Sequence, residues 1–169
     1  VMMTQTGGGC RASNYINLLR KALAKNGFSH VPVVSLNMSN MEKNPGFTLS
    51  VKLLYQLVSA VCYGDVLMAL ANQVRPYELN KGETDKLVDV WVGKLVNSNI
   101  GVTDFSKKTR QIIKDFEAVP TKKTNKIKVG IVGEIYIKYA PLVNNELEAF
   151  LQSEGVEVVV PGLLDFIIF

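Results

Sequence analysis

Histidine and cysteine are nearly missing from this chain: 169 residues hold one histidine, His30, and two cysteines, Cys10 and Cys62. A single histidine excludes a multi-histidine metal site within the chain and leaves no Ser-His-Asp set to assemble. Two cysteines exclude a disulfide framework and any self-contained four-cysteine metal site. A basic leader with a small-residue cleavage pattern is absent. So is an uninterrupted apolar run of about 20 residues, the length a membrane span needs. The longest apolar stretch, residues 49–71, is broken by Lys52, Gln56, Gly64 and Asp65 and reads as a buried helix of a soluble protein. The charge excess is slight, +4, which permits an acidic partner but does not point to nucleic acid. No short-period repeat and no low-complexity tract is present. The expectation is a cytoplasmic chain with reduced thiols and no membrane segment.

Apolar residues make up 47% and charged residues 20%, the composition of an ordinary globular protein rather than a disordered one. At 18.6 kDa the chain can build one domain with a substantial core, or two small ones. Val1 is not an initiator residue, and the end, Asp165-Phe166-Ile167-Ile168-Phe169, is an uncapped apolar run. Both ends read as cuts within a longer protein.

Residues 1–6 read as a strand, followed at once by Gly7-Gly8-Gly9 and a helical pattern over about 12–26. Ile16, Leu18, Leu19, Ala22 and Leu23 give that helix its apolar stripe, and Asn26-Gly27 is a stop signal. Residues 31–36 are β-branched and apolar, a second strand. Strand, glycine turn, helix, strand is a βαβ order, which implies a parallel pair with a right-handed crossover. Residues 37–46 (NMSNMEKNPG) form a loop. A long helix over 49–74, roughly 35–40 Å, has apolar residues on more than one side, with Gly64-Asp65 as a place to kink or divide. Arg75-Pro76-Tyr77 ends it. Thr84 suits the N-cap of a helix to about 98, with Leu87-Val88, Trp91-Val92 and Leu95-Val96 as its buried face. Thr103 or Asp104 suits the cap of the next helix, which carries Ile112, Ile113 and Phe116 and stops at Pro120.

The basic stretch 121–126 (TKKTNK) reads as a linker. A fresh strand at 127–132, a loop over 133–144, a helix to 153 and a strand at 156–160 make a second βαβ unit. The expected fold class is therefore α/β: open parallel-sheet units of Rossmann or flavodoxin-like type joined by helices and truncated at both ends. Residues 1–120 form the first subdomain, with a helical segment over about 49–119, and residues 127–169 begin the second.

Two places could carry chemistry. In Thr4-Gln5-Thr6-Gly7-Gly8-Gly9-Cys10-Arg11, the glycines permit a sharp turn and a close backbone approach. The following helix N-terminus favours an anion. The helix dipole and Arg11 both favour the Cys10 thiolate, the form that ligates a metal or attacks an electrophile. The pattern is neither G-x-G-x-x-G nor a P-loop, and a tight turn with a small buried cysteine accounts for the same residues. In Gly133-Glu134-Ile135-Tyr136, Glu134 and Tyr136 fall at the carboxyl end of a parallel strand, the edge where open α/β sheets bind ligands. Lys138 follows, and Asn144-Asn145 suits the cap of the next helix. A surface loop covering the sheet end is the alternative. Cys62 reads as a core residue and His30 as a solvated one. Lys107-Lys108 and Lys122-Lys123 with Lys126 and Lys128 read as solvated faces, the alternative being contacts to the phosphates of an acyl carrier such as coenzyme A. Arg75 reads equally as part of a helix stop or as an arginine brought to a site.

The segments TQTGGGCRASNYINLLRKAL, DVLMALANQVRPYE and KVGIVGEIYIKYAPLVNNELEAFL, in this order, resemble the 2-hydroxyacyl-CoA (2-hydroxyglutaryl-CoA) dehydratase family. The resemblance is closest to its large activator-related bacterial members, and it spans residues 4 to about 164. It implies stacked α/β domains holding an iron–sulfur cluster, with an ATP-hydrolysing activase, in the same chain or separate, driving one low-potential electron into it. On this resemblance Cys10 is the candidate ligand of a [4Fe–4S] cluster, Gly7, Gly8 and Gly9 allow its close approach, and Arg11 offsets its negative charge. The remaining ligands would lie outside these residues, since a cubane cluster usually takes three or four cysteines. A coenzyme A thioester is the implied small-molecule partner, and no ATP-binding signature is visible in the chain.

Overall fold

In a computed structural model, residues 1–5, 11–36, 50–98, 104–122 and 124–168 are described. The chain forms two compact units, Val1–Leu49 and Ser50–Phe169.

In the first unit, strand β1 (Met2–Thr4) pairs in parallel with β2 (Val34–Leu36), in the register Met2 with Val34 and Thr4 with Leu36. Between them run a 3-10 turn, Arg11–Asn14, and helix α1, Tyr15–Lys25. This is the expected βαβ unit. Ala12 and Ile16 are its buried pair, one helical turn apart. Gly27 turns the chain at φ +80°, where a side chain would strain the backbone. The Phe28 N–H then closes on the Leu23 carbonyl at 2.8 Å. The second strand is shorter than its apolar run because Pro32 has no N–H to pair. Its carbonyl takes the Val1 amino group at 2.8 Å instead, and the ladder begins at Val34, whose N–H donates to the Val1 carbonyl.

The second unit is built on α2, Val51–Val74, which at 24 residues is about 36 Å long. Ser50 caps it, its hydroxyl accepting the Leu53 N–H. The helix runs unbroken through Gly64-Asp65 and tightens into a 3-10 turn at Arg75–Tyr77. Helices α3 (Glu83–Val96) and α4 (Phe105–Glu117) pack on it. Each helix contributes residues four apart to one core: Tyr63, Leu67 and Ala71; Trp91 and Leu95; Ile112 and Phe116. Val92 and Val96, expected in the buried face of α3, are exposed, because a period of 3.6 carries each of them about a quarter-turn from Trp91 and Leu95. The first turns of α2 also depart from expectation. Val51, Leu54, Tyr55, Leu57 and Val58 are exposed, since burial on α2 begins only at Ser59. Among the described residues, this helix with its 3-10 extension is the one long and apolar enough to cross a bilayer by length and composition.

Strand β3 (Lys128–Gly130) pairs in parallel with β4 (Glu157–Val159), with Val129 opposite Val158. Between them lie α5 (Ile135–Tyr139), within a stretch expected to be loop, and α6 (Leu147–Ser153); α7 (Leu163–Ile168) follows β4. Ile131, Val158 and Val160 form a second small core, with Met68 of α2 packed against it. The described architecture is thus mixed: helices with two small two-stranded parallel sheets.

Residues 121 and 122 do not behave as a free linker. The Lys122 N–H donates to the Tyr77 carbonyl at 2.8 Å, the Leu79 N–H donates to the Pro120 carbonyl at 2.9 Å, and Glu78 bridges Thr121. These bonds hold the stretch within the second unit. The division between units falls at 49/50 instead.

Candidate functional site

Gly7, Gly8, Gly9 and Cys10 lie outside the described residues. The residues on either side of them are tied together by Gln5. Its backbone N–H donates to the Leu36 carbonyl at 3.0 Å, extending the sheet by one bond. Its side-chain amide donates to the Ser13 carbonyl and accepts from the Ser35 hydroxyl, both at 2.7 Å. Gln5 and Ser35 are both buried, and a buried amide is costly unless its donor and acceptor are both used. The bonds join the residue after β1 to β2 and to the 3-10 turn before α1. Arg11, the first residue after the segment, is exposed. This clamp was not anticipated. Its one signal was two polar residues in apolar surroundings, Gln5 directly after β1 and Ser35 in the middle of β2.

At the carboxyl end of β3, the two Glu134 oxygens differ, and Oε1 is buried with no hydrogen-bond partner among the described residues. The other oxygen accepts the Ile137 N–H at 3.0 Å, capping α5. Tyr136 is half-exposed. Tyr139 donates its hydroxyl to the Pro161 carbonyl at 2.5 Å, just beyond β4, and the Lys138 ammonium lies 4.4 Å over the Tyr139 ring. Asn144, expected as a cap, accepts the Leu147 N–H and donates its amide back to the Ile137 and Lys138 carbonyls. Tyr139 and Asn144 therefore fix this edge, and Glu134 shapes the turn.

Of the other basic candidates, Lys126, Lys128 and Arg75 have structural partners. Lys126 donates to the Gly155 carbonyl at 2.8 Å, and Lys128 pairs with Glu157 at 2.8 Å. Arg75 holds Asp85 through two nitrogens, at 2.8 and 2.9 Å, and donates to Asn72 at 2.9 Å. It ties α2 to α3.

Glu157 is buried at the amino end of β4 and also accepts the Tyr77 hydroxyl at 2.6 Å. Burial pushes its carboxyl up, but the Lys128 ammonium and the Tyr77 hydroxyl outweigh it, and the net shift is down. Glu78 follows the same pattern. Burial raises it, while bonds from Thr84 and Gly82 and the charge of Arg75 lower it further. Its carboxylate accepts the Gly82 and Thr84 N–H groups at 2.6 and 2.8 Å. That is why α3 starts at Glu83 without Thr84 as its N-cap: a distant carboxylate meets the open N–H groups of the first turn. A carboxyl held below its unfolded value stabilises the fold above that value and loses the contribution as pH falls through the folded one. Stability should therefore hold down to about pH 5 and decline below about pH 4.3, the ordinary glutamate value. Glu157→Gln should make the acid limb shallower, as read from urea midpoints across pH 3–7. An unchanged limb would remove Glu157 from this account.

Cys62 is half-buried on α2. Burial, and then the Asp65 charge, push its thiol up, which disfavours the thiolate that binds metals. Among the described residues no three histidine, cysteine or acidic side chains converge as a metal-holding group. The described residues thus do not make up the ligand set that an iron–sulfur cluster requires. His30 is exposed, its ring 6.3 Å from that of Phe28. No family model, no curated protein and no solved structure matches this chain.

Proposed function

We propose that this chain is a dehydratase-like α/β segment of a 2-hydroxyacyl-CoA dehydratase activator-related protein, cytoplasmic, with Rossmann or flavodoxin-like units. Its role is to contribute the Cys10 thiolate to an iron–sulfur site whose other ligands come from outside these 169 residues. Such a cluster would supply low-potential one-electron chemistry, with an ATP-driven activase as the electron source, and Cys10 would be the ligand that this chain holds. The supporting observation is the Gln5 clamp. A parallel β1–β2 pair ends in a buried amide bonded to both Ser35 and Ser13, so the described residues that precede and follow the glycine-cysteine segment in sequence are bonded to each other. Ligand-binding turns of open α/β sheets occupy such an edge. Arg11 supplies positive charge beside it.

The test is anaerobic iron and sulfide analysis of the full-length protein and of Cys10→Ser. The variant should lose most of its iron and its visible absorbance. Equal iron and sulfide in the two proteins would overturn the assignment. A second reading, a non-catalytic docking module, is favoured by the exposed apolar side chains on the first turns of α2 and by Leu142 and Phe150, 92% and 58% exposed. It predicts that neither protein binds iron.

A further inference from the structure

The cleft between the end of α3 and the start of α4 carries an unneutralised cluster of positive charge. It encloses about 400 Å³, and its walls include Lys94, Lys107, Lys108, Ser98, Trp91 and Asp104. Three lysines and one aspartate thus line it, and the Asp115 carboxylate is bonded to the wall residues Trp91 and Gln111. None of the three is ion-paired among the described residues, whereas Arg75 and Lys128 of the same unit are. The Lys108 ammonium donates to the Ser98 hydroxyl at 3.1 Å, and that of Lys94 rests 4.4 Å over the Trp91 ring. Asp104 begins α4 without bonding its N–H groups.

From this we infer that the cleft binds a phosphate-bearing small molecule. Like charges gathered in a concave wall raise the local potential and concentrate anions. Ammonium groups and a hydroxyl together supply charge-assisted donors to phosphate oxygens. The volume lies within the range of about 300–1,000 Å³ usual for small-molecule sites. Lys94 already covers a face of Trp91, so recognition goes through the phosphate rather than through a stacked base. The inference does not depend on the iron–sulfur reading, since no residue is shared.

Trp91 is the sole tryptophan of the chain, so intrinsic fluorescence reports directly from the cleft wall. The chain is titrated with sodium pyrophosphate and, separately, with ADP, at constant ionic strength. A saturable change in emission is expected with at least one of them. Equal affinities identify inorganic phosphate chemistry as sufficient, and tighter ADP binding identifies a nucleotide as the source. Lys107→Ala, which removes an exposed side chain, should weaken binding several-fold, and Lys107→Ala/Lys108→Ala at least tenfold, with unchanged circular dichroism. The inference is overturned if neither ligand saturates, if sodium sulfate gives the same response, if single-stranded oligonucleotide alone saturates, or if folded Lys107→Ala binds as the parent does.

Discussion

Phe116→Ala should destabilise the Ser50–Phe169 unit by about 3–5 kcal/mol, the cost of truncating a buried aromatic. Phe116 is 1% exposed and sits in the core where α2, α3 and α4 meet, beside Leu67, Trp91 and Ile112. Its removal costs transfer energy and leaves a cavity whose walls belong to three helices. Those walls collapse poorly because each helix is held by other bonds: α3 by Arg75 with Asp85, and α4 by the Trp91 indole donating to Asp115 at 3.1 Å. The check is a urea titration of the chain followed by Trp91 fluorescence. Ile113→Ala, one residue from the buried Ile112 but half-exposed, should cost far less. Equal losses at 113 and 116 would mean that the helix face is assigned wrongly.

The second large effect is at Asp65. From the middle of α2, its two carboxylate oxygens accept the Leu163 and Leu164 N–H groups at 2.9 and 2.8 Å, holding the start of α7. Hydrogen bonds to a charged group are worth about 1.5–3 kcal/mol each, less where partly solvated. Asp65→Ala should therefore cost about 2–3 kcal/mol. The approach is close enough that residue 162 has no room for a side chain: a Cβ at Gly162 would lie 2.8 Å from one carboxylate oxygen and 2.9 Å from the carboxyl carbon. Gly162→Ala should cost about 1–3 kcal/mol, the range for overpacking. The two changes are not independent. In Asp65→Ala/Gly162→Ala the added methyl no longer meets the carboxylate, so the double variant should be more stable than the sum of the singles by at least about 0.5 kcal/mol. Strict additivity would sink the latch.

Much of the local structure was readable before the fold. The order β1, α1, β2 followed from a glycine run between apolar strands and from Asn26-Gly27. The three long helices of the second unit followed from apolar residues repeating near 3.6, and Ile112 with Phe116 is buried as that spacing requires. The second parallel pair was legible in the same way. The candidate sites were legible only in part. Glu134 and Tyr136 do fall at a strand's carboxyl end, where one Glu134 oxygen caps α5 and the other is buried without a hydrogen-bond partner among the described residues. A glutamate near a helix start looks alike in sequence whether it caps or waits for a ligand. Gly7, Gly8, Gly9 and Cys10 stand outside the described residues, so the glycine-cysteine reading rests on its neighbours, Gln5, Arg11 and Ser13.

What the linear order determined was periodicity and punctuation: where the longer helices and the strands lie, and that both strand pairs are parallel. The elements depend on residues within a turn or two of each other, and the parallel pairing on the strand–helix–strand order that brings Met2 to Val34 and Lys128 to Glu157. What only tertiary structure decided was partnership. Asp65 looked like a place to break a helix and is instead the cap of α7 across 98 residues of chain. The stretch 121–126 looked like a linker, yet its first residues are hydrogen-bonded to 77–79. Lys128 belonged to a basic run and is neutralised by Glu157. The physical reason is common to all three. A charge or an open N–H must find a counterpart when water is removed, and which counterpart is nearest depends on how distant segments fold together.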